Sequence, residues 1–192
     1  MNGVALIFAP VGALRTALAA ALTDVGFVCT AAFPSDEDAW HQTLAAITPL
    51  RVLVHAVPPP LRQRTSITEF QTDFERVVGS LWLGASLTMT MFRASNGGVI
   101  VALAAARSEE PFAATCGDGV RALAACLGVA EATSAVPLRA ASLSGPAAVL
   151  HGTAKPDALA RSAAFAAFLA GPGASYLTAT DISLGDCQVS NA

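Results

Sequence analysis

The chain has 192 residues, 54% hydrophobic and only 13% charged, with a formal net charge of −3. That length fits one domain with its own core, and the scattered arginines form no basic stripe, which argues against nucleic acid and gives an anionic membrane no support as a partner. A charged fraction this far below the roughly one quarter of ordinary soluble domains leaves apolar surface for another subunit to cover.

Val4 to Phe8 is a continuous apolar run, the pattern of a parallel strand buried on both faces. Leu14, Leu18, Ala21 and Val25 then lie on one helical stripe that Gly26 ends. Phe27 to Ala31 reads as a second strand. In Pro34-Ser35-Asp36-Glu37-Asp38, Ser35 is the expected cap and the acids fill the first turn of a helix running to about Ile47. Arg51 to Val57 returns to strand, and Pro58-Pro59-Pro60 with Arg62 and Arg64 makes a stiff exposed connection.

A long helix follows from about Thr68 to Phe92. Phe70, Phe74, Val77 and Leu81 form one stripe, and Val78, Trp82, Ala85 and Met89 another, so its second half is expected to be buried on two sides. Asn96-Gly97-Gly98 turns the chain into a strand from Val99 to Ala104. Pro111 opens a helix carrying Val120, Leu123, Ala124 and Leu127. Val136 to Leu143 reads as strand, Asp157 to Ala170 as helix stopped by Gly171-Pro172-Gly173, and Tyr176 to Leu184 holds a last strand. This alternation predicts a doubly wound parallel α/β sheet with helices on both faces, a single Rossmann-like domain over residues 1–192.

Cys29, Cys116, Cys126 and Cys187 show neither a C-x-x-C pair nor a His/Cys spacing suited to zinc, so they read as reduced core residues and no metal site is expected. Met1 to Pro10 lacks the basic flank and cleavage site of a secretory signal, and no stretch reads as a clean apolar span of about twenty residues. The expectation is a cytoplasmic protein.

The segment Val4 to Leu22 resembles the opening of the short-chain dehydrogenase/reductase family, a strand, T-G-x-x-x-G-x-G and a helix. Phe8 stands at the family's threonine, and Ala9, Ala13 and Arg15 stand at its three glycines. Those glycines allow a tight turn and close approach of backbone to pyrophosphate, and each side chain here obstructs one of these. Thr30-Ala31-Ala32 supplies neither an acid for a ribose hydroxyl nor a base for a 2′-phosphate. One short helix separates the second strand from Arg51, where the family has two helices and a strand, so one βα unit is shortened.

Leu53-Val54-His55-Ala56-Val57 resembles the family's L-V-N-N-A-G, and Leu81-Trp82-Leu83 its V-N-L, which puts Trp82 at the catalytic asparagine. Gly97 to Ala105 resembles G-G-x-I-V-N-I-S-S, putting Ala105 at the catalytic serine. Phe112-Ala-Ala-Thr-Cys116 resembles Y-A-A-S-K, putting Phe112 at the tyrosine and Cys116 at the lysine. Gly173 to Ile182 resembles the terminal A-S-Y-V-T-G segment. The tetrad of proton relay is thereby replaced throughout. The only tyrosine and the only lysine, Tyr176 and Lys155, stand 21 positions apart and cannot share one turn of a helix.

The resemblance therefore implies the fold without catalytic or cofactor-binding residues, and no cofactor is expected. The expected role is a non-catalytic subunit, a homodimer or a hetero-oligomer with an active short-chain dehydrogenase. One alternative is a divergent NAD(P)-dependent oxidoreductase. Another is a sensor holding a small ligand in the vacated cleft with His55 and Arg15 as polar contacts, Arg15 at a helix start favouring an anion. Cys116 reads as a buried structural thiol, Trp82 as filling the void of the lost site, and His41 and His151 as surface residues.

Overall fold

The computed structural model describes residues 3–34, 36–60, 66–107, 109–131 and 137–184. Six strands, β1 (Val4–Phe8), β2 (Val28–Ala32), β3 (Leu50–His55), β4 (Gly98–Ala105), β5 (Leu138–Gly145) and β6 (Thr180–Ser183), form one sheet in the order β2-β1-β3-β4-β5-β6. Every pairing is parallel. The chain moves outward from β1 to β2 and then returns across β1 to β3, so the direction of winding reverses between β1 and β3. β2 is an edge strand, since the shortened unit leaves nothing beyond it in the sheet.

The continuous apolar runs arise because both faces are covered. Ala5, Ile7, Val52 and Val54 face a core built with α1 (Ala13–Asp24) and α7 (Pro156–Ala170), where Ala163, Ala166 and Ala167 allow close approach. Leu6, Phe8 and Leu53 face the other core, built with α2 (Glu37–Ala45), α4 (Ser80–Ala94) and α5 (Pro111–Glu131). Gly117 permits one intimate contact, because a Cβ there would collide with the Ala105 carbonyl at the end of β4.

Several elements differ from the sequence reading. The long helix is α3 (Ile67–Phe74) joined to α4 by a π-helical turn, Glu75–Gly79. A short helix, α6 (Ala147–Leu150), and a 3₁₀ turn, Pro172–Ala174, are additional, and the last strand is confined to Thr180–Ser183. The cap of α2 is Asp36, whose carboxylate accepts from the Ala39 N–H at 2.9 Å. Ser35, Arg62, Arg64, Val136 and Cys187 lie outside the described residues.

Three burial expectations are overturned. Trp82 is 59% exposed, because Leu81 and Ala85 occupy the sheet-facing side of α4 and rotate the indole outward. Cys126 is exposed on α5 and Cys29 only half-buried, so of the described thiols Cys116 alone is a core residue. His151 is half-buried with its Nε2 shielded, while His41 is exposed as expected. One helix is also long and apolar enough to cross a membrane by length and composition, Pro111–Val129 of α5. Half of that segment is buried within the fold, as in the core helix of a sheet-packed domain.

Candidate functional site

In an open α/β sheet the natural crevice lies beyond the carboxyl ends of the strands where winding reverses, here β1 and β3. Ala9-Pro10-Val11-Gly12 leaves β1 and enters α1, whose first turn has no side-chain cap. The turn containing α6 spans this crevice. Its Ala147 N–H donates to Glu109 Oε1 at 2.9 Å, and Ala106 N–H donates to the Gly145 carbonyl at 2.8 Å, tying the loops after β4 and β5 together. His151 bonds the Pro59 carbonyl from the loop after β3, which opposes the downward pull of burial on its pKa.

Gly152 completes the closure. With φ of 68° it lies against α1, and a Cβ built on it would stand 3.5 Å from the backbone nitrogens of Ala13 and Leu14. Among the described residues, a cavity of about 20 Å³ lies between the β1–α1 turn and α6, lined by Ala9, Arg15, Ala56, Leu150 and His151 among others. That is room for about one water molecule. Of the residues at the glycine-motif positions, Ala9 is buried, Ala13 exposed and Arg15 half-buried.

His55 ends β3 on the opposite side. Its ring stacks on Phe8 at 5.4 Å between centroids, within a cluster where Phe8 also meets Phe33 and Trp40. His55 Nε2 lies 2.9 Å from Ser80 Oγ. Ser80 Oγ also lies 3.2 Å from the Val77 carbonyl of the π turn; with Ser80 donating there, the imidazole donates from Nε2. Nδ1 is then a buried acceptor without a protein partner. Burial pushes the pKa of His55 down to about 3, and the ring is neutral at physiological pH. His55 does not line the cavity that Arg15 lines, so the structure separates these two candidate contacts.

The side chains at the four positions of the tetrad point to different sides, although the Ala105 backbone lies against α5 at Gly117. Ala105 is buried in the core beneath α1 and α7, while Phe112 and Cys116 are buried in the opposite core and Trp82 faces out of both. Phe112 meets Phe70 edge-on at 4.9 Å. Burial raises the Cys116 thiol to about 11, so it stays protonated near neutral pH, as a structural thiol does. No side chain at these positions exchanges a proton in the physiological range.

Sequence reasoning missed the main polar network. Arg121, buried on α5, donates to the Ala105 carbonyl at 2.6 Å, to Ser144 Oγ at 3.0 Å and to Asp118 at 2.7 Å. Arg107 also pairs with Asp118 at 3.1 Å, and the hydrogen bonds from Arg121 and Arg107 hold that carboxyl below its usual range. Ser142 and Ser144 both donate to Asp181 at 2.8 Å, joining β5 to β6. The available signal was local: an aspartate and an arginine three apart on an otherwise apolar helix, and two serines on one face of a strand. Among the described residues no group of three His, Cys, Asp or Glu side chains is arranged to hold a metal.

No family model matches the chain, and no curated protein matches it in sequence. Solved structures match it well. A short-chain dehydrogenase from Mycobacterium smegmatis superposes with a TM-score of 0.75 at 20% identity, over 97% of this chain and 93% of that one. A short-chain dehydrogenase/reductase from Serratia marcescens gives 0.76 at 15% identity, covering 96% of each. The 3-ketoacyl-(acyl-carrier-protein) reductase from Brucella melitensis, solved in complex with NADH, gives 0.78 at 16% identity over 95% of this chain and 96% of its own. With TM-scores of 0.75 to 0.78 over nearly the whole of each chain, this chain has the fold of the short-chain dehydrogenases and reductases.

Proposed function

We propose that the chain is a non-catalytic subunit with the architecture of a short-chain dehydrogenase, acting by oligomerisation with itself or with an active dehydrogenase of that type. The observation that carries this reading is the packing of the α6 turn against the start of α1 among the described residues. Known small-ligand sites measure roughly 300–1,000 Å³, whereas the cavity that described residues line between the β1–α1 turn and α6 is about 20 Å³. The residues present do not fit a dinucleotide: Gly152 lies against the first backbone N–H groups of α1, and Ala9, Ala13 and Arg15 stand where close approach would be needed. Phe112 and Cys116 offer no acid at neutral pH.

The surface assigned to the partner is the outward side of α4 and α5. It exposes two large apolar side chains, Trp82 on α4 at 59% and Val129 on α5 at 64%. Titration of the purified chain with NADH and NADPH, followed by energy transfer from its two tryptophans, should show no saturable binding up to millimolar cofactor. Saturable binding would overturn the reading in favour of the divergent NAD(P)-dependent oxidoreductase. Native mass spectrometry of the untagged chain should then display a second protein chain, whereas a retained small molecule would favour the sensor.

A further inference from the structure

We infer that the outer edge of β2 docks a second copy of this chain, the two β2 strands pairing antiparallel about a two-fold axis at Thr30. The sheet has two ends, and they are unlike. β6 is guarded: it is four residues long and carries Asp181, which is engaged by Ser142 and Ser144. Charged side chains and short length are ordinary protections of an edge. β2, Val28-Cys29-Thr30-Ala31-Ala32, has no charge and no proline, and its ladder with β1 runs without a register shift. Val28 is 53% exposed, and Val25 and Phe33, just before and just after the strand in sequence, are also exposed.

The backbone directions fix what can pair. Val28 N–H donates to the Gly3 carbonyl at 3.1 Å and the Ala32 carbonyl accepts from Ala9 N–H at 3.3 Å, so Val28, Thr30 and Ala32 bond inward to β1. The N–H and C=O groups of Cys29 and Ala31 therefore point outward. With the axis at Thr30, Cys29 stands opposite Ala31 of the second copy and the reverse, which satisfies all four groups on each strand. Thr30 meets its own counterpart as a close cross-strand pair, a favourable combination on a sheet. Val28 faces Ala32, and no like charges oppose.

The layer above the strands fits the same arrangement. α1 lies over β1 and β2, with Cys29 Sγ 3.5 Å from the Ala19 carbonyl and 3.6 Å from Thr23 Oγ1. Joining the two edges places the α1 axes two strand spacings apart, about 10 Å, which is the separation of packed helices. Ala19 and Thr23, which lie over β2 at Cys29, are small enough for that distance. Arg15 at the start of one α1 then approaches the last turn of the other, which ends in Asp24 and has no basic residue of its own. A cation there is favourable. This edge is remote from the α4 and α5 face and does not depend on whether the chain binds nucleotide.

Two variants test it. Thr30→Cys puts thiols at a non-hydrogen-bonded antiparallel pair, whose Cα separation of about 4.5 Å lies within disulfide range. Ala31→Pro removes an outward N–H and leaves the ladder to β1 intact. With the α4 and α5 face silenced by Trp82→Glu the chain should be dimeric in native mass spectrometry, and adding Ala31→Pro should weaken that dimer at least ten-fold with its circular dichroism unchanged. Thr30→Cys should form a disulfide between the two substituted positions on mild oxidation, found by peptide mapping, and should do so equally when combined with Trp82→Glu. A folded Thr30→Cys chain that yields no such link, or a chain with Ala31→Pro and Trp82→Glu that associates as tightly as one with Trp82→Glu alone, would overturn the edge; if Ala31→Pro fails to fold, the cross-link decides.

Discussion

His55 is held neutral by its surroundings, and this sets a pH dependence of known sign. Its pKa falls from 6.5 to about 3 on folding because burial penalises the imidazolium. Between those values the unfolded chain binds the extra proton, so stability is complete above pH 6.5 and declines as the pH falls toward 3. The slope from this one group reaches roughly 1.4 kcal/mol per pH unit. His151, also lowered by burial, adds a contribution of the same sign. His55→Phe keeps a ring against Phe8 and leaves Ser80 its bond to the Val77 carbonyl. Urea midpoints measured from pH 7 to pH 5 should fall for the wild type and fall clearly less for this variant. An unchanged slope would mean that His55 is protonated in the folded chain. The sequence marked His55 as standing at the carboxyl end of a strand, but not that its ring turns into an aromatic cluster, because that depends on Trp40 and Ser80 arriving from other elements.

At the scale of elements, the tightest joint is between α5 and β4. Gly117 lies against the Ala105 carbonyl, and Arg121 one turn later donates to the same oxygen. Gly117→Ala must therefore push α5 from the sheet, and the rigid neighbour is backbone that has nowhere to go. The expected loss is about 1–3 kcal/mol, read as a lowered urea midpoint. A variant as stable as the wild type would show that α5 can shift without strain. Most strands and long helices were legible because burial on both faces writes continuous apolar runs and helical stripes into the sequence. Trp82 was misread for an instructive reason: the helix is apolar nearly all round, so periodicity alone could not say which stripe faces the sheet. α6 was illegible because four residues are too few for a period, and the π turn because it leaves the apolar spacing almost intact.

For the whole molecule, two separate obstacles stand before a dinucleotide under the proposed reading, the replaced glycines and the α6 turn, and they can be distinguished. Ala9→Gly, Ala13→Gly and Arg15→Gly together restore the small residues of the nucleotide turn without moving α6. Ala13 and Arg15 lie in the first turn of α1, so the variant should lose on the order of 1–2 kcal/mol from helix propensity and remain folded. It should still show no saturable NADH binding, because Gly152 continues to face the Ala13 and Leu14 nitrogens while Ala147, through Glu109, and His151, through Pro59, hold the turn in place. Adding Glu109→Gln and His151→Phe releases two of those ties and is the background in which any latent affinity should emerge. If the glycine variant alone bound NADH with a defined midpoint, the side chains of the nucleotide turn would be the whole barrier and α6 a lid that yields to ligand. The geometry favours the opposite order, since cutting back these three side chains leaves the α6 turn and its ties to Glu109 and Pro59 where they are, beside the first backbone nitrogens of α1.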